Sequence, residues 1–280
     1  MATKTTNKKS VSLYGGKVSV DFYPDSHRYK IPTEKTYLIS ATAMTGILDK
    51  SLFLIPWAIG LTKSHLLMYL EGKSSITPEE LYPVIDEAVI QHTQRKEEAG
   101  DVGSQIHDWC EAFAKAKIEG TKEPEITDDM DERVLHGISA FLDFYNEHDV
   151  KFLESERLTY SMIHGWCGIT DSVALVDGVK TVIDYKTGKY IYDEQYFQLG
   201  QYWMSLDEEF EHMRNNGIKE GNTDPIQQGM ILNFSKEDGK LTIGMLTQED
   251  QMQNVPVIKA LFTIKKRLKE LASKKDYVSQ

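Results

Sequence analysis

The Asp177-Gly178 dipeptide, set between two β-rich runs, constrains this chain more than any other feature. Asp-Gly favours a two-residue hairpin turn, because such turns need positive φ at their centre. That turn pairs Val176 with Val179, so residue numbers across the hairpin sum to 355. Asp171 and Asp184 obey the same sum. They are therefore expected to face each other, with Cβ atoms roughly 4.5–5.5 Å apart. Like charges at that distance destabilise a sheet unless a cation bridges them. Lys186 lies two residues beyond Asp184 and shares its face, since side chains alternate along a strand. The hairpin thus predicts two carboxylates and one ammonium on a single patch.

Those groups suit phosphodiester hydrolysis. Carboxylate oxygens hold Mg2+ or Mn2+. Such an ion polarises a phosphate and lowers the pKa of an attacking water. A lysine can position that water or stabilise charge on the phosphate. An Asp-x-Lys pair alone is a common solvated surface feature; the opposed aspartate at matching register makes this one informative.

The rest of the chain frames the hairpin. Val18, Val20 and Phe22 alternate, Pro24-Asp25-Ser26 can turn, and Tyr29 and Ile31 return. Ser40 or Thr42 can cap a short helix through Ile47 and Leu48. Helical spacing runs from Pro56 to Leu70, and Thr77-Pro78-Glu79-Glu80 is a helix start. Further helices are expected over 103–118, 127–148 and 193–215. Strands are expected over 226–234 and 241–246, with a turn at Glu237-Asp238-Gly239 between them. A final helix takes in Val257, Leu261, Ile264 and Leu268. The expected division is a disordered tail over 1–10, a hairpin and helical portion over 11–150 covering the site, and a core over 151–280. Together these form one integrated α/β domain.

Composition limits the alternatives. The 280 residues are 40% hydrophobic and 27% charged, as in ordinary globular proteins. No uninterrupted apolar run approaches the length of a membrane span, so no membrane association is expected. The first ten residues lack the apolar stretch of a secretory signal. The two cysteines, Cys110 and Cys167, form no C-x-x-C, which leaves a zinc site or four-cysteine iron–sulfur cluster unsupported. An intracellular, reducing compartment is expected. The net charge of −11 argues against a broad basic coat for duplex DNA. A local basic groove is compatible with it. Lys265-Lys266-Arg267, Lys269 and Lys274-Lys275 read as a solvated helix end that complements the helix dipole.

The hairpin sits within a wider pattern. Gly103-x-x-x-His107-x-x-x-Glu111 precedes Gly168-x-x-Asp171, then Asp184-Tyr185-Lys186-Thr187-Gly188, then Gln198-x-x-x-Tyr202. In this order the motifs resemble the RecB-like branch of the PD-(D/E)xK nuclease superfamily. Within that branch the chain resembles mitochondrial genome maintenance exonucleases and related phage and bacterial exonucleases, over roughly residues 35–270. Ile39-Ser-Ala-Thr42 through Leu48, Glu156 and Gly229 through Gly239 carry this looser likeness. Ile39 departs from it, standing where that group has proline.

The resemblance implies a restriction-endonuclease-like core, a central mixed sheet flanked by helices, with a helical N-terminal portion. It implies that Asp171, Asp184 and the Tyr185 carbonyl ligate Mg2+ or Mn2+, one ion or two, joined by His107. Lys186 would be the catalytic lysine. Gln198 and Tyr202 would support the site or touch DNA, with Glu156 and Glu111 in secondary roles. The implied activity is a deoxyribonuclease working from a free DNA end, favouring single strands, in replication, recombination or repair. The setting would be the cytoplasm of a bacterial or phage-infected cell, with a helicase or recombinase as possible partner. A structure-selective endonuclease would use the same residues. A non-catalytic nucleic-acid-binding protein is the alternative of another class.

Overall fold

The computed structural model describes residues 7–273. In chain order the strands and helices are β1 (Lys9–Leu13), β2 (Val18–Tyr23), β3 (Arg28–Lys30), β4 (Ile39–Ser40), α1 (Ala41–Thr45), α2 (Ser51–Leu70), α3 (Pro78–Glu119) and α4 (Glu132–Glu147). They continue with β5 (Val150–Tyr160), β6 (Trp166–Val176), β7 (Val179–Lys186), α5 (Asp193–Asn215), β8 (Gln228–Phe234), β9 (Leu241–Leu246) and α6 (Gln248–Ser273). The chain divides into two compact units, one of residues 1–47 with 107–280, the other of residues 48–106.

The first unit is α/β. Its main sheet has six strands, ordered β4-β6-β7-β8-β9, with β5 on β6. The sheet is mixed: β4·β6 and β7·β8 are parallel, whereas β5·β6, β6·β7 and β8·β9 are antiparallel. The Asp177-Gly178 turn has positive φ at both residues. It sets Val176↔Val179 through Ser172↔Ile183, as the hairpin arithmetic requires.

Alternation along β6 and β7 gives the sheet two buried faces. Val173, Val182 and Ile231 meet Leu199, Trp203, Leu206 and Phe210 of α5 on one. Burying each such side chain contributes roughly 1.5–3 kcal/mol. On the other, Tyr185 and Phe234 pack edge-on or tilted against Phe141 of α4 and against each other. Phe113 of α3 joins through Phe141. A β1-β2-β3 meander covers β5 and β6 through Leu13, Tyr14, Phe22, Tyr29, Leu158 and Tyr160.

Several boundaries differ from the sequence reading. Pairing begins at Lys9, inside the segment 1–10 read as a tail, because Val11 and Leu13 pair with Val20 and Val18 of the next strand. Residues 1–6 lie outside the described residues, as do Lys274 and Lys275. Ser40, rather than Thr42, caps α1, accepting the Ala43 N–H at 3.0 Å. The 103–118 helix is the end of the longer α3, which starts after Thr77 with a reciprocal Thr77–Glu80 cap. Gly100 and Gly103 do not interrupt it, although each costs about 1 kcal/mol relative to alanine. The next helix starts at Glu132 rather than 127, because Asp131 caps it through the Arg133 N–H.

Among the described residues of α6, Gln251, Val255 and Ile258 are buried. Val257, Leu261, Ile264 and Leu268 lie on this helix, as expected, and are exposed. Periodicity locates an apolar stripe but does not supply a partner for it.

The second unit holds α2 and the beginning of α3. No residue of α2 is buried. By length and composition this helix is apolar enough to cross a membrane. Its apolar run over 52–61 stops at Thr62 and Lys63, but an average over eighteen residues tolerates such interruptions.

Candidate active site

The site lies at a fork in the sheet. Strand β5 pairs with β6 from Tyr160↔Cys167 to Val150↔Val176, filling one edge of β6 along its length. The other edge is shared. Strand β4 pairs with Trp166 and Cys167, and β7 with Ser172 through Val176. Residues Gly168 to Asp171 lie between, without a backbone partner on that edge.

Side chains take over where the ladder stops. Thr170 Oγ1 donates to the Ile183 carbonyl at 3.0 Å. Asp171 Oδ2 accepts the Tyr185 N–H at 2.6 Å. In a strand a residue's C=O leaves by the same edge as its N–H. The Tyr185 carbonyl is therefore directed to the fork.

The four principal residues of the sequence reading meet here. His107 of α3 places Nδ1 3.5 Å from Asp171 Oδ1. Lys186 Nζ contacts Asp184 Oδ2. Asp171 and Asp184 continue the 355 register just past the last paired residues. Asp184 is buried, its side chain 4% exposed; that of Asp171 is 24% exposed and forms the open side.

The environment separates the two carboxylates. Burial raises Asp184 to about 6, opposed by Lys186 and reinforced by the charge of Asp171. Burial also acts upward on Asp171. His107, Lys186 and the Tyr185 N–H outweigh it and hold that carboxyl below the usual range. For His107, burial disfavours the charged ring, but the carboxylate of Asp171 prevails and raises its pKa.

These groups have the chemistry of a hard-cation site: two carboxylates, an imidazole and a backbone carbonyl. Asp184 Oδ2 is buried and accepts no hydrogen bond of good geometry, despite its ionic contact with Lys186. A buried carboxylate oxygen needs a cationic partner; Lys186 supplies it here, and a metal ion would fit the same oxygen. Among the described residues, no three His, Cys, Asp or Glu side chains converge on one point as they stand. Here Asp171 turns toward His107 and Asp184 toward Lys186. The donor types fit an ion; common ligation requires these side chains to rotate.

Helices α1 and α5 wall the fork. Gln198 Nε2 donates to Tyr202 Oη at 2.7 Å and to Thr42 Oγ1 at 3.2 Å. Tyr202 is buried, and its hydroxyl is pushed far up by burial and by the charges of Asp184 and Asp171. Gln198 thus ties α5 to α1 beside the fork.

The two secondary acids have other neighbours. Glu111 follows His107 by one turn but pairs with Lys115. Glu156 is exposed, with φ of +47°, and acts electrostatically on Tyr29 rather than on the carboxylates. Trp166 opens β6 and is buried rather than lying in a loop; its ring stacks on His164 of the preceding turn at 4.4 Å, and its Nε1 donates to Ser205 Oγ.

Two contributors escape the sequence reading. Thr42 enters as a partner of Gln198 rather than as a cap. Asn233 of β8 stands in register with Lys186, its Oδ1 buried without a partner. Nothing local marks Asn233, since the parallel pairing of β7 with β8 is formed across α5. No protein-family model matches the chain, and no curated protein matches its sequence.

Proposed function

We propose that the protein is a divalent-metal-dependent nuclease that hydrolyses DNA phosphodiester bonds from a free end, favouring single strands. One observation carries this reading. Asp171 and Asp184 flank a fork in a mixed sheet, with Lys186 on one carboxylate and His107 on the other. The end requirement and the strand preference come from the motif resemblance.

Asp171, Asp184, the Tyr185 carbonyl and His107 would hold the ion. When bound, Mg2+ or Mn2+ supplies Lewis-acid polarisation of the phosphate and a more acidic water. Asp171 keeps a low pKa, so it offers a carboxylate throughout the neutral range. Lys186, released from Asp184, donates hydrogen bonds to a non-bridging phosphate oxygen as negative charge grows there. The bonds from Gln198 to Thr42 and to Tyr202 keep the fork's wall fixed, so the reacting groups need little reorganisation.

The test is end-labelled linear single-stranded DNA with Mg2+ or Mn2+, beside Lys186→Ala and an EDTA control. Metal-dependent loss of nucleotides, reduced about 100-fold or more in Lys186→Ala, is expected. Equal cutting of circular single strands would replace the exonuclease by an endonuclease. No cleavage of single-stranded DNA, duplex DNA or RNA would leave a binding protein.

A further inference from the structure

The charge of this acidic chain is unevenly distributed. Residues 251–269 contain no aspartate or glutamate but carry Lys259, Lys265, Lys266, Arg267 and Lys269, in a protein of net charge −11. All five lie on α6. Lys265, Lys266 and Lys269 line a cleft with Phe262, Gly46 and Ile47, where the end of α1 meets α6. Lys265 Nζ donates to the Ile47 carbonyl at 2.9 Å, which fixes the cleft's wall. Phe262 is half-buried beside exposed lysines. An aromatic face among ammonium groups suits a single strand, whose bases stack while its phosphates pair with cations.

The cleft has a defined path to the fork. Helix α1 carries Thr42, bonded to Gln198, near one end, and reaches Gly46 and Ile47 at the other. At 1.5 Å rise per residue, α1 spans only about 7 Å. A strand with its scissile phosphate in the fork would cross α1 and meet the lysines within a few nucleotides.

We propose that the cleft between α1 and the cationic half of α6 is the track that holds a nucleic-acid single strand by its phosphates, with Phe262 as a stacking platform. The proposal rests on the nuclease reading for the direction in which the strand runs. Its binding test does not depend on cleavage.

The experiment measures fluorescence anisotropy of a labelled oligodeoxythymidylate with the full chain in EDTA, across 50–200 mM salt. Proteins compared are the wild type, Lys266→Gln/Lys269→Gln, Phe262→Leu, and a charge-matched Lys122→Gln/Lys240→Gln control. Loss of two phosphate contacts reduces the log–log salt slope by about 1.4. The control should keep the wild-type slope. Phe262→Leu should weaken binding about fivefold or more at unchanged slope. Absence of wild-type binding, or an equal slope in Lys266→Gln/Lys269→Gln, overturns the track. So does capture of the wild type by phosphatidylserine vesicles through these lysines while oligonucleotide binding ignores them. Patch-dependent binding without cleavage would sink the nuclease reading and leave the track standing; cleavage with an unchanged slope would do the reverse.

Discussion

Gly168 and Tyr202 compete for one volume: a Cβ on Gly168 would lie 2.4 Å from Tyr202 Cε1. No real Cβ tolerates that approach, so a glycine here is a condition for the tyrosine ring to lie over the stretch of β6 that lacks a β7 partner. Two motif positions, far apart in sequence, are thereby one packing unit. The same ring carries the hydroxyl that Gln198 holds.

Gly168→Ala is therefore expected to displace Tyr202 and cost about 1–3 kcal/mol, as overpacking does. Adding Tyr202→Leu should return part of that loss, since it removes the clashing ring. Urea unfolding of the two single variants and the double variant measures the coupling. Strict additivity would show that the ring and the glycine do not interact.

Proton competition at Asp184 gives a pH dependence. Burial places this carboxyl at about 6, above its unfolded value near 4. Between those values the native state binds more protons, so this group's contribution to stability falls as pH rises through the window. Ion uptake needs the ionised form and moves the opposite way. Mn2+ affinity by calorimetry should weaken about tenfold per pH unit for each of Asp184 and His107 that must lose its proton, hence about 100-fold per unit below about 6. An affinity constant from pH 5 to 7 would remove Asp184 as a ligand.

The buried acid on α5 supports a stability prediction. Glu209 is 2% exposed; it accepts the Tyr14 N–H at 2.8 Å and the Arg157 guanidinium at 2.8 Å. Arg157→Met strands that carboxylate and should cost about 3–5 kcal/mol. Arg157→Met/Glu209→Gln should recover much of it, because glutamine keeps an acceptor for Tyr14 without the charge. A denaturation midpoint no better in the double than in the single variant would refute this account.

Glu156 offers a test with two readouts. Its φ of +47° is the left-handed region, which costs a side-chain-bearing residue roughly 1–2 kcal/mol. Glu156→Gly relieves that strain, offset in part by glycine's larger unfolded-state entropy. A small rise in melting temperature with unchanged cleavage is expected. A tenfold fall in cleavage would return Glu156 to the site.

Much of this architecture is legible in local chemistry. Asp177-Gly178 sets the register of β6 and β7 to the residue, because a two-residue turn leaves no slack. Thr77-Pro78-Glu79-Glu80 marks where α3 begins, and α5 spans the expected Asp193–Asn215. What was missed depends on partners remote in sequence. Strand β1 needs β2 beside it. The exposure of Leu261 and Ile264 depends on which side of α6 meets α5 and α1, not on the helix's own pattern.

By itself the sequence determined that Asp171, Asp184 and Lys186 share one patch, because turn geometry and strand alternation place them there. Tertiary structure alone decided what those residues meet. It brought His107 to Asp171, left Gly168 through Asp171 without a backbone partner on the edge between β4 and β7, set Asn233 in register with Lys186, and paired Glu111 with Lys115. The physical reason is range: alternation and turn rules act over a few residues, whereas burial, orphaned ladder bonds and shifted pKa values arise where distant segments exclude water from one another.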